Sequence, residues 1–217
     1  MLAGETASYN GYQYCLFPLS YIYCTQVSGP SSLSHCCGHP ADWIGPTSNY
    51  PYYAPCDCHR TSIIASNGQT IYTSDNQVWT PQGLSYVSFL FAHDNAIPSQ
   101  TSFRQGELIG HTGTAGQATG DHVHIDQSLI QNDTSVSYGV TCAYGNLCYA
   151  LSCSALPTNV FYITGNETIV QTLGNNFATV PVQPTPPEPP YIPSVHRKMP
   201  LMMKFLALNQ GKIKFHK

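Results

Sequence analysis

The chain reads G-E-L-I-G-H-T-G-T-A-G-Q-A-T-G-D-H-V-H-I-D from Gly106 to Asp126. The five glycines of this stretch mark tight turns and places where the backbone approaches other groups closely. Its last five residues alternate between polar and apolar side chains, which predicts a β-strand. Side chains two positions apart on a strand project from one face, so we expect His122 and His124 to face the same space. Because imidazole is the commonest protein ligand for metals, this pair predicts a metal site.

Composition and short strand-like runs indicate the fold class. The chain has 217 residues, of which only 9% are charged and 15 are tyrosines. Runs such as 21–25, 86–92 and 160–164 have strand character, and turn signals such as Asn67-Gly68 separate them. No long amphipathic helical pattern precedes residue 180. These features predict an all-β or β-dominated fold, and the length suits one domain with an extension or one large all-β domain.

Charge and hydropathy argue against several classes of function. The formal net charge is −3 and no basic patch precedes the last 22 residues, so nucleic-acid recognition is not expected. No apolar run reaches the length of a membrane span. The first ten residues lack the basic and apolar regions of a signal peptide, so no signal peptide is expected.

The cysteine count bears on where the protein works. Nine cysteines are present, an odd number, so at least one is unpaired or joins another chain. A cysteine-rich chain without an export signal fits a protein that is assembled in a cytosol and exposed outside later, as a virion component is. Free cytosolic thiols are the alternative interpretation.

Three places in the chain offer metal ligands or acid–base groups: His35/His39/Asp42, His93, and His122/His124. A catalytic zinc takes three protein ligands and leaves its fourth position to water, and two histidines with one carboxylate would serve. The remaining imidazoles could orient that water or stabilise an oxyanion. A bare His-x-His pair is also compatible with two solvated histidines, but the glycine-rich segment before it favours the metal site.

The segment 106–126 resembles the signature of the lysostaphin/LytM-type zinc endopeptidases, G-x-x-I-G-x-x-G-x-T-G-x-(S/T)-T-G-x-H-L-H-F-E. Upstream, S-F-L-F-A-H-D at 88–94 resembles the Y-x-H-L segment of that family. Further upstream, Y-Y-A-P-C-D at 52–57 resembles its P-V-Y-A-P-x-D-G strand. The matches occur in the family's order and span about residues 31–127, so chance agreement of all three is a poor explanation.

The resemblance implies roles for individual residues. His124, the second histidine of the pair, and Asp42 of the first metal motif correspond to zinc ligands. His122 and His93 correspond to the two catalytic imidazoles. Asp126 stands where the family often has an acidic residue, which would orient an imidazole by accepting its other N–H.

The first histidine ligand has two candidates, His35 and His39. The run S-H-x-x-G-x-x-x-D favours His35, because it resembles a longer form of the motif in phage tail peptidases, and Gly38 suits the turn that such a loop needs. His39 lies only three residues before Asp42, and Pro40 biases it towards an extended conformation. The related D-alanyl-D-alanine carboxypeptidases share a similar element, but they need a Glu-x-x-His that this chain lacks.

The resemblance implies a lysostaphin-like antiparallel sheet that forms the floor of a groove, with zinc on that floor and loops as walls. The implied activity is zinc-dependent hydrolysis of peptide cross-links or stem peptides in bacterial peptidoglycan. The phage-like first motif suggests a virion tail-tip protein, also described as a tail-knob protein, that opens the wall during DNA entry and contacts other tail proteins. The alternatives are a free endolysin, a non-catalytic scaffold that retains the zinc site, and a wall-binding module.

The chain is expected to have three parts. Residues 1–180 would form the peptidase domain. Residues 181–193, P-V-Q-P-T-P-P-E-P-P-Y-I-P, read as an extended proline-rich linker. Residues 194–217 form an apolar, Met-rich and basic tail, which we expect to dock on a partner subunit; docking back on the domain or lying on a surface are the alternatives.

Overall fold

The structure is a computed structural model that describes residues 1–29, 35, 40–134, 151 and 159–182. These residues form short β-strands and a single turn of 3-10 helix at Ala65–Asn67, which confirms the predicted β-dominated fold. Met1–Pro181 forms one compact unit. The predicted linker and tail lie outside the described residues, apart from 181 and 182, so the proposed division of the chain stays a prediction.

The strands of the described residues are numbered in chain order. They are β1 (Ser8–Tyr9), β2 (Tyr12–Gln13), β3 (Tyr21–Val27), β4 (Ala41–Trp43), β5 (Pro51–Tyr53), β6 (Cys58–Ile64), β7 (Gln69–Ser74), β8 (Val78–Thr80), β9 (Gly83–Ser85), β10 (Ser88–Ala92), β11 (Ser102–Phe103), β12 (Leu108–His111), β13 (Val123–Ser128), β14 (Tyr162–Ile163), β15 (Thr168–Gln171) and β16 (Ala178–Thr179).

The main sheet has eight strands in the order β11-β6-β7-β10-β13-β4-β3-β15. Its pairings are antiparallel except that β15 runs parallel to β3. Strands β6 and β7 form a hairpin at the predicted Asn67-Gly68 turn, where Gly68 has a φ of +56°. This left-handed conformation is one that glycine adopts readily.

The centre of the sheet is strand β13, which pairs with β10 on one side and β4 on the other. His124 lies opposite Ala92 of β10 and opposite Asp42 of β4. Because residues opposite each other in adjacent strands share a face of the sheet, the side chains of Asp42 and His124 lie next to each other. The apolar residues Val123 and Ile125 point to the other face and belong to the core, as the alternation predicts.

The core on that other face is rich in aromatic side chains. Phe17 is fully buried and meets three aromatic rings edge-on: Trp43 at a centroid distance of 4.8 Å, Phe177 at 4.8 Å and Phe161 at 5.7 Å. Edge-to-face pairs of this kind stabilise a core beyond the apolar area that they bury. Phe17 therefore connects strand β4, which carries Asp42, to the segment around residues 161–177.

Within the ranges that the structure describes, no helix is long and apolar enough to cross a membrane.

Replacing Phe17 with alanine should lower the free energy of unfolding by about 3–5 kcal/mol, because the substitution leaves a cavity among three aromatic rings. Urea denaturation followed by near-ultraviolet circular dichroism measures this change. Ile169→Ala is the control: Ile169 is 54% exposed, so its loss should change stability by less than about 0.5 kcal/mol. Equal costs for the two variants would show that the ring cluster does not hold the core together.

Candidate metal centre

Three ligand atoms meet at the centre of the sheet, on the face opposite the aromatic core. His35, Asp42 and His124 are 2%, 7% and 2% exposed. His35 Nε2 lies 3.0 Å from Asp42 Oδ1 and 2.9 Å from His124 Nδ1. His124 Nδ1 lies 3.2 Å from Asp42 Oδ1, which closes the triangle. Among the described residues, these three side chains form the group of potential metal ligands whose atoms lie close enough together to hold a metal ion.

The triangle fits a tetrahedral metal ion. With zinc bonds of about 2.0–2.2 Å in a tetrahedral arrangement, neighbouring ligand atoms lie about 3.3–3.6 Å apart, and the three observed separations are slightly shorter than that range. Hydrogen bonds among these three side chains leave a conflict. His35 Nε2 and His124 Nδ1 face each other, so one must donate and the other accept, yet both also approach the Asp42 carboxylate, which can only accept. A cation bound by all three lone pairs removes this conflict.

The charge of Asp42 suits a cation site. Burial on its own would raise the pKa of this carboxyl group, but hydrogen bonds with His124 and His35 outweigh it and hold the pKa well below its usual range. Asp42 is therefore ionised at neutral pH. A buried carboxylate next to two imidazoles is the donor set that divalent transition metals bind.

A fourth side chain, Gln26 of strand β3, contacts His35 on the side that faces away from the triangle. Its Nε2 lies 2.6 Å from His35 Nδ1, the ring nitrogen that faces away from the triangle, and Gln26 is opposite Asp42 in the β3–β4 register. A polar group on the outer nitrogen of a ligand histidine fixes the orientation of the ring. The sequence carries no signal for Gln26, because its place depends on pairing between strands that are separated by residues 28–40.

Two further imidazoles border the triangle. The ring centroids of His93 and His122 are 4.5 Å apart, and His93 lies at right angles to His124 at 6.1 Å. His122 Nε2 lies 3.5 Å from Asp42 Oδ1. The structure thus brings together His35, Asp42, His93, His122 and His124, although their individual roles stay predictions.

The protonation of both bordering rings follows from their hydrogen bonds. His93 Nδ1 lies 2.8 Å from the carbonyl oxygen of Ala115, and His122 Nδ1 lies 2.8 Å from that of Gly120. A carbonyl oxygen can only accept, so each Nδ1 carries the proton. In the neutral ring each Nε2 is therefore an unprotonated base.

His93 is held neutral by its surroundings. Burial, with smaller contributions from the nearby His122 and His124, lowers the pKa of His93 to about 4 against the opposing effects of the Ala115 carbonyl and Asp42. At neutral pH this imidazole is uncharged and can accept a proton or a hydrogen bond.

The backbone of His93 has an uncommon conformation, with a φ of +79°. Its N–H donates to the carbonyl of Asn67 at 3.1 Å, and its own carbonyl accepts the N–H of Ala115 at 3.1 Å. A Cβ at Gly113 would lie 2.2 Å from the His93 carbonyl oxygen, so only glycine permits this approach. The glycine-rich segment 106–126 therefore holds His93 in place.

The predicted roles of Asp126 and His39 stay predictions. Asp126 is buried on the same strand as His124, two positions further on, and its Oδ2 accepts the N–H of Leu151. Its predicted contact with an imidazole stays a prediction. The alternative first ligand, His39, and the turn at Gly38 lie outside the described residues, whereas His35 occupies a corner of the triangle.

Comparison with known proteins gives a partial match. No family model matches the sequence. The chain is 35% identical over 119 residues to morphogenesis protein 1 of Bacillus phage B103. This match covers 54% of the chain and 32% of the relative, so the chain spans about a third of the relative's length.

Among solved structures, a zinc-containing peptidase from Vibrio cholerae superposes with a TM-score of 0.39 and 17% identity, over 55% of this chain and 36% of that one. The chain is thus similar to a phage morphogenesis protein and contains a cluster that could hold a metal ion.

The purified protein should bind one metal ion per chain, and the Asp42→Asn and His124→Ala variants should bind it more than about 100-fold more weakly. The reason is that even the outer contacts of a metal ligand typically contribute 10–100-fold to affinity. Zinc titration against a chromophoric competitor measures this affinity.

The matched control is His59→Ala. His59 lies on strand β6 and contacts Asp75 at 2.6 Å, with a side chain that is 44% exposed. Loss of metal from this variant to the same degree would contradict the assignment of the site.

Proposed function

We propose that the chain is a zinc-dependent endopeptidase that hydrolyses peptide cross-links or stem peptides of bacterial peptidoglycan. The observation that carries the proposal is the pair of imidazoles, His93 and His122, with Nδ1 bound to backbone carbonyls beside the ligand triangle. A structural zinc site is closed by four protein ligands, whereas a catalytic site has three and leaves a position open. The triangle supplies three, and a purely structural site would need neither bordering imidazole.

The residues that would hold the zinc are His35, Asp42 and His124. When bound, zinc would supply a Lewis acid that polarises the substrate carbonyl and lowers the pKa of water.

His93 and His122 would have different roles in the reaction. His93 is uncharged, so its Nε2 can accept a hydrogen bond from the attacking water and orient it towards the peptide carbonyl. His122 presents the other unprotonated nitrogen at the edge of the ligand triangle, because its Nδ1–H is bound to the Gly120 carbonyl and its Nε2 lies 3.5 Å from Asp42 Oδ1. It would take the proton of the water and then give it to the leaving amine nitrogen.

The resemblance of residues 31–127 to the lysostaphin/LytM-type endopeptidases supports peptidoglycan as the substrate. The similarity to morphogenesis protein 1 of Bacillus phage B103 supports a role in a phage particle. We infer that the protein is a virion component at the tail tip, where it would cut the wall locally during DNA entry.

Digestion of purified cell walls tests the hydrolase. Wild-type protein loaded with zinc should release new amino termini, and His122→Ala should reduce kcat by about 10²–10⁴-fold because it removes a general acid–base group. His124→Ala should lose both activity and zinc. Zinc content must be measured on every variant.

The pattern of losses decides the interpretation. His122→Ala that keeps its zinc but not its activity supports the catalytic assignment. A zinc-loaded wild type that releases nothing from walls of several cross-link types would favour a structural or wall-binding protein with a retained metal site.

The tail at 194–217 is proposed to attach the domain to another virion protein. A chain truncated after Pro181 should keep its zinc content and its wall cleavage, because the metal ligands lie within Met1–Pro181. When only the truncated chain is present during assembly, mass spectrometry of the purified phage particles should no longer detect this protein. Normal incorporation would contradict the proposed attachment.

A further inference from the structure

The segment before strand β3 runs antiparallel to the end of strand β5 and the residues that follow it. The Leu16 N–H donates to the Pro55 carbonyl at 3.0 Å, and the Tyr53 N–H donates to the Pro18 carbonyl at 3.0 Å. Residue numbers rise along one segment as they fall along the other, so Leu16 faces Pro55 and Pro18 faces Tyr53. Each bonded pair contains a proline, which lacks the N–H for a second ladder bond.

This register places Cys15 directly opposite Cys56. The two residues form a non-hydrogen-bonded pair, because the backbone of Cys15 points its polar groups the other way. Its N–H donates to the Trp79 carbonyl at 2.9 Å, and its carbonyl accepts the Tyr162 N–H at 2.7 Å. Opposed residues of this kind have Cα atoms about 4.5 Å apart. A disulfide needs Cα atoms about 4.4–6.8 Å apart, so the backbone spacing suits one.

The two thiols meet inside the core. Cys15 and Cys56 are fully buried, and their side chains are hydrogen-bonded to each other. Gln105 ties the two segments together, because its Nε2 donates to the carbonyls of Tyr14 at 2.7 Å and of Pro55 at 2.8 Å. These carbonyls belong to the residues just before each cysteine, so both backbones are held next to the thiols.

The other cysteines within the described ranges face different partners. Cys58 is fully buried on strand β6, where it lies opposite Ser74 and Phe103. Cys24 is fully buried on strand β3 and lies opposite Trp43. The cross-strand placement of two cysteines is therefore specific to the pair at 15 and 56 in the part of the chain that the structure describes.

We propose that Cys15 and Cys56 form a disulfide by exchange with a small-molecule disulfide such as oxidised glutathione. The thiolate of one cysteine attacks the S–S bond of the oxidant and releases one small thiolate. The thiolate of the other cysteine then attacks the mixed disulfide, which forms the bond between the two cysteines and releases the second small thiolate. The oxidant takes up two electrons, and the two cysteine protons end on the two released thiolates.

The exchange belongs to the folding chain or to a transient opening of these segments. Burial raises the pKa of the Cys15 thiol, and the hydrogen bond with Cys56 raises it further, so the reactive thiolate is scarce in the closed core. In the unfolded chain both thiols are exposed to the oxidant. The closed core then has to hold only the two sulfur atoms, and it needs no room for the oxidant.

The bond would close a loop that contains strands β3, β4 and β5. This loop carries His35 and Asp42, two corners of the ligand triangle. A disulfide restricts the unfolded chain, and the factor by which folding favours the bond is also the factor by which the bond favours folding. The inference concerns the fold alone and does not depend on zinc-dependent hydrolysis.

Refolding of the full-length protein tests the pairing. The chain is refolded from urea, with zinc, in mixtures of reduced and oxidised glutathione, and a second sample stays in urea in the same mixtures. After free thiols are blocked, mass spectrometry of peptic peptides measures the bond between Cys15 and Cys56. Its equilibrium constant should be at least about tenfold larger in the folded protein, because the native register holds the thiols together. A smaller factor, or a bond mainly to another cysteine, would overturn the proposal.

Two variants locate the bond. Oxidised wild type should melt at least about 3 °C above the reduced protein, and Cys56→Ala should abolish both this difference and the cross-link. Cys58→Ala is the matched control, because it removes an equally buried thiol two residues away and should leave both intact. Loss of the cross-link in Cys58→Ala would assign the bond to Cys58 and contradict the pairing. If Cys56→Ala does not fold, the peptide mapping of the wild type still decides.

Discussion

The site depends on the register between strands β4 and β13. His124 lies directly opposite Asp42, and this pairing puts an imidazole nitrogen 3.2 Å from a carboxylate oxygen. A shift of one residue in either strand would move one of these side chains to the aromatic face. Register is fixed because Val123 and Ile125 must stay in the core opposite Trp43 and Ala41. The burial of these apolar side chains therefore determines the geometry of the polar ones.

Local sequence patterns predict a large part of this arrangement. The alternation around His122–Asp126 identifies the strand and the face of its histidines, and the glycines before it identify close backbone contacts. Family resemblance then selects Asp42, His93 and one of two upstream histidines. These features are predictable because they depend on side-chain periodicity and on residue types that only certain turns accept.

The rest depends on pairing between distant segments. Gln26 reaches His35 only because β3 lies beside β4, and Gln69 of β7 borders the space next to His93 and His124 only because β7 lies beside β10. Both are glutamines in unremarkable strand-like runs, and a glutamine that orients a ligand reads the same in sequence as one that faces water. Only the hydrogen bonds that a glutamine makes in the folded structure distinguish these two cases.

The left-handed backbone of His93 has a consequence for how this fold could evolve. Residues with a positive φ are mainly glycine, with asparagine, aspartate and histidine as the tolerated side chains, whereas β-branched residues are strongly disfavoured. A lineage that gave up the chemistry but kept the fold would thus have few replacements open to it at position 93. Asparagine, aspartate or glycine would be expected there, and a valine would signal that the loop itself has been rebuilt.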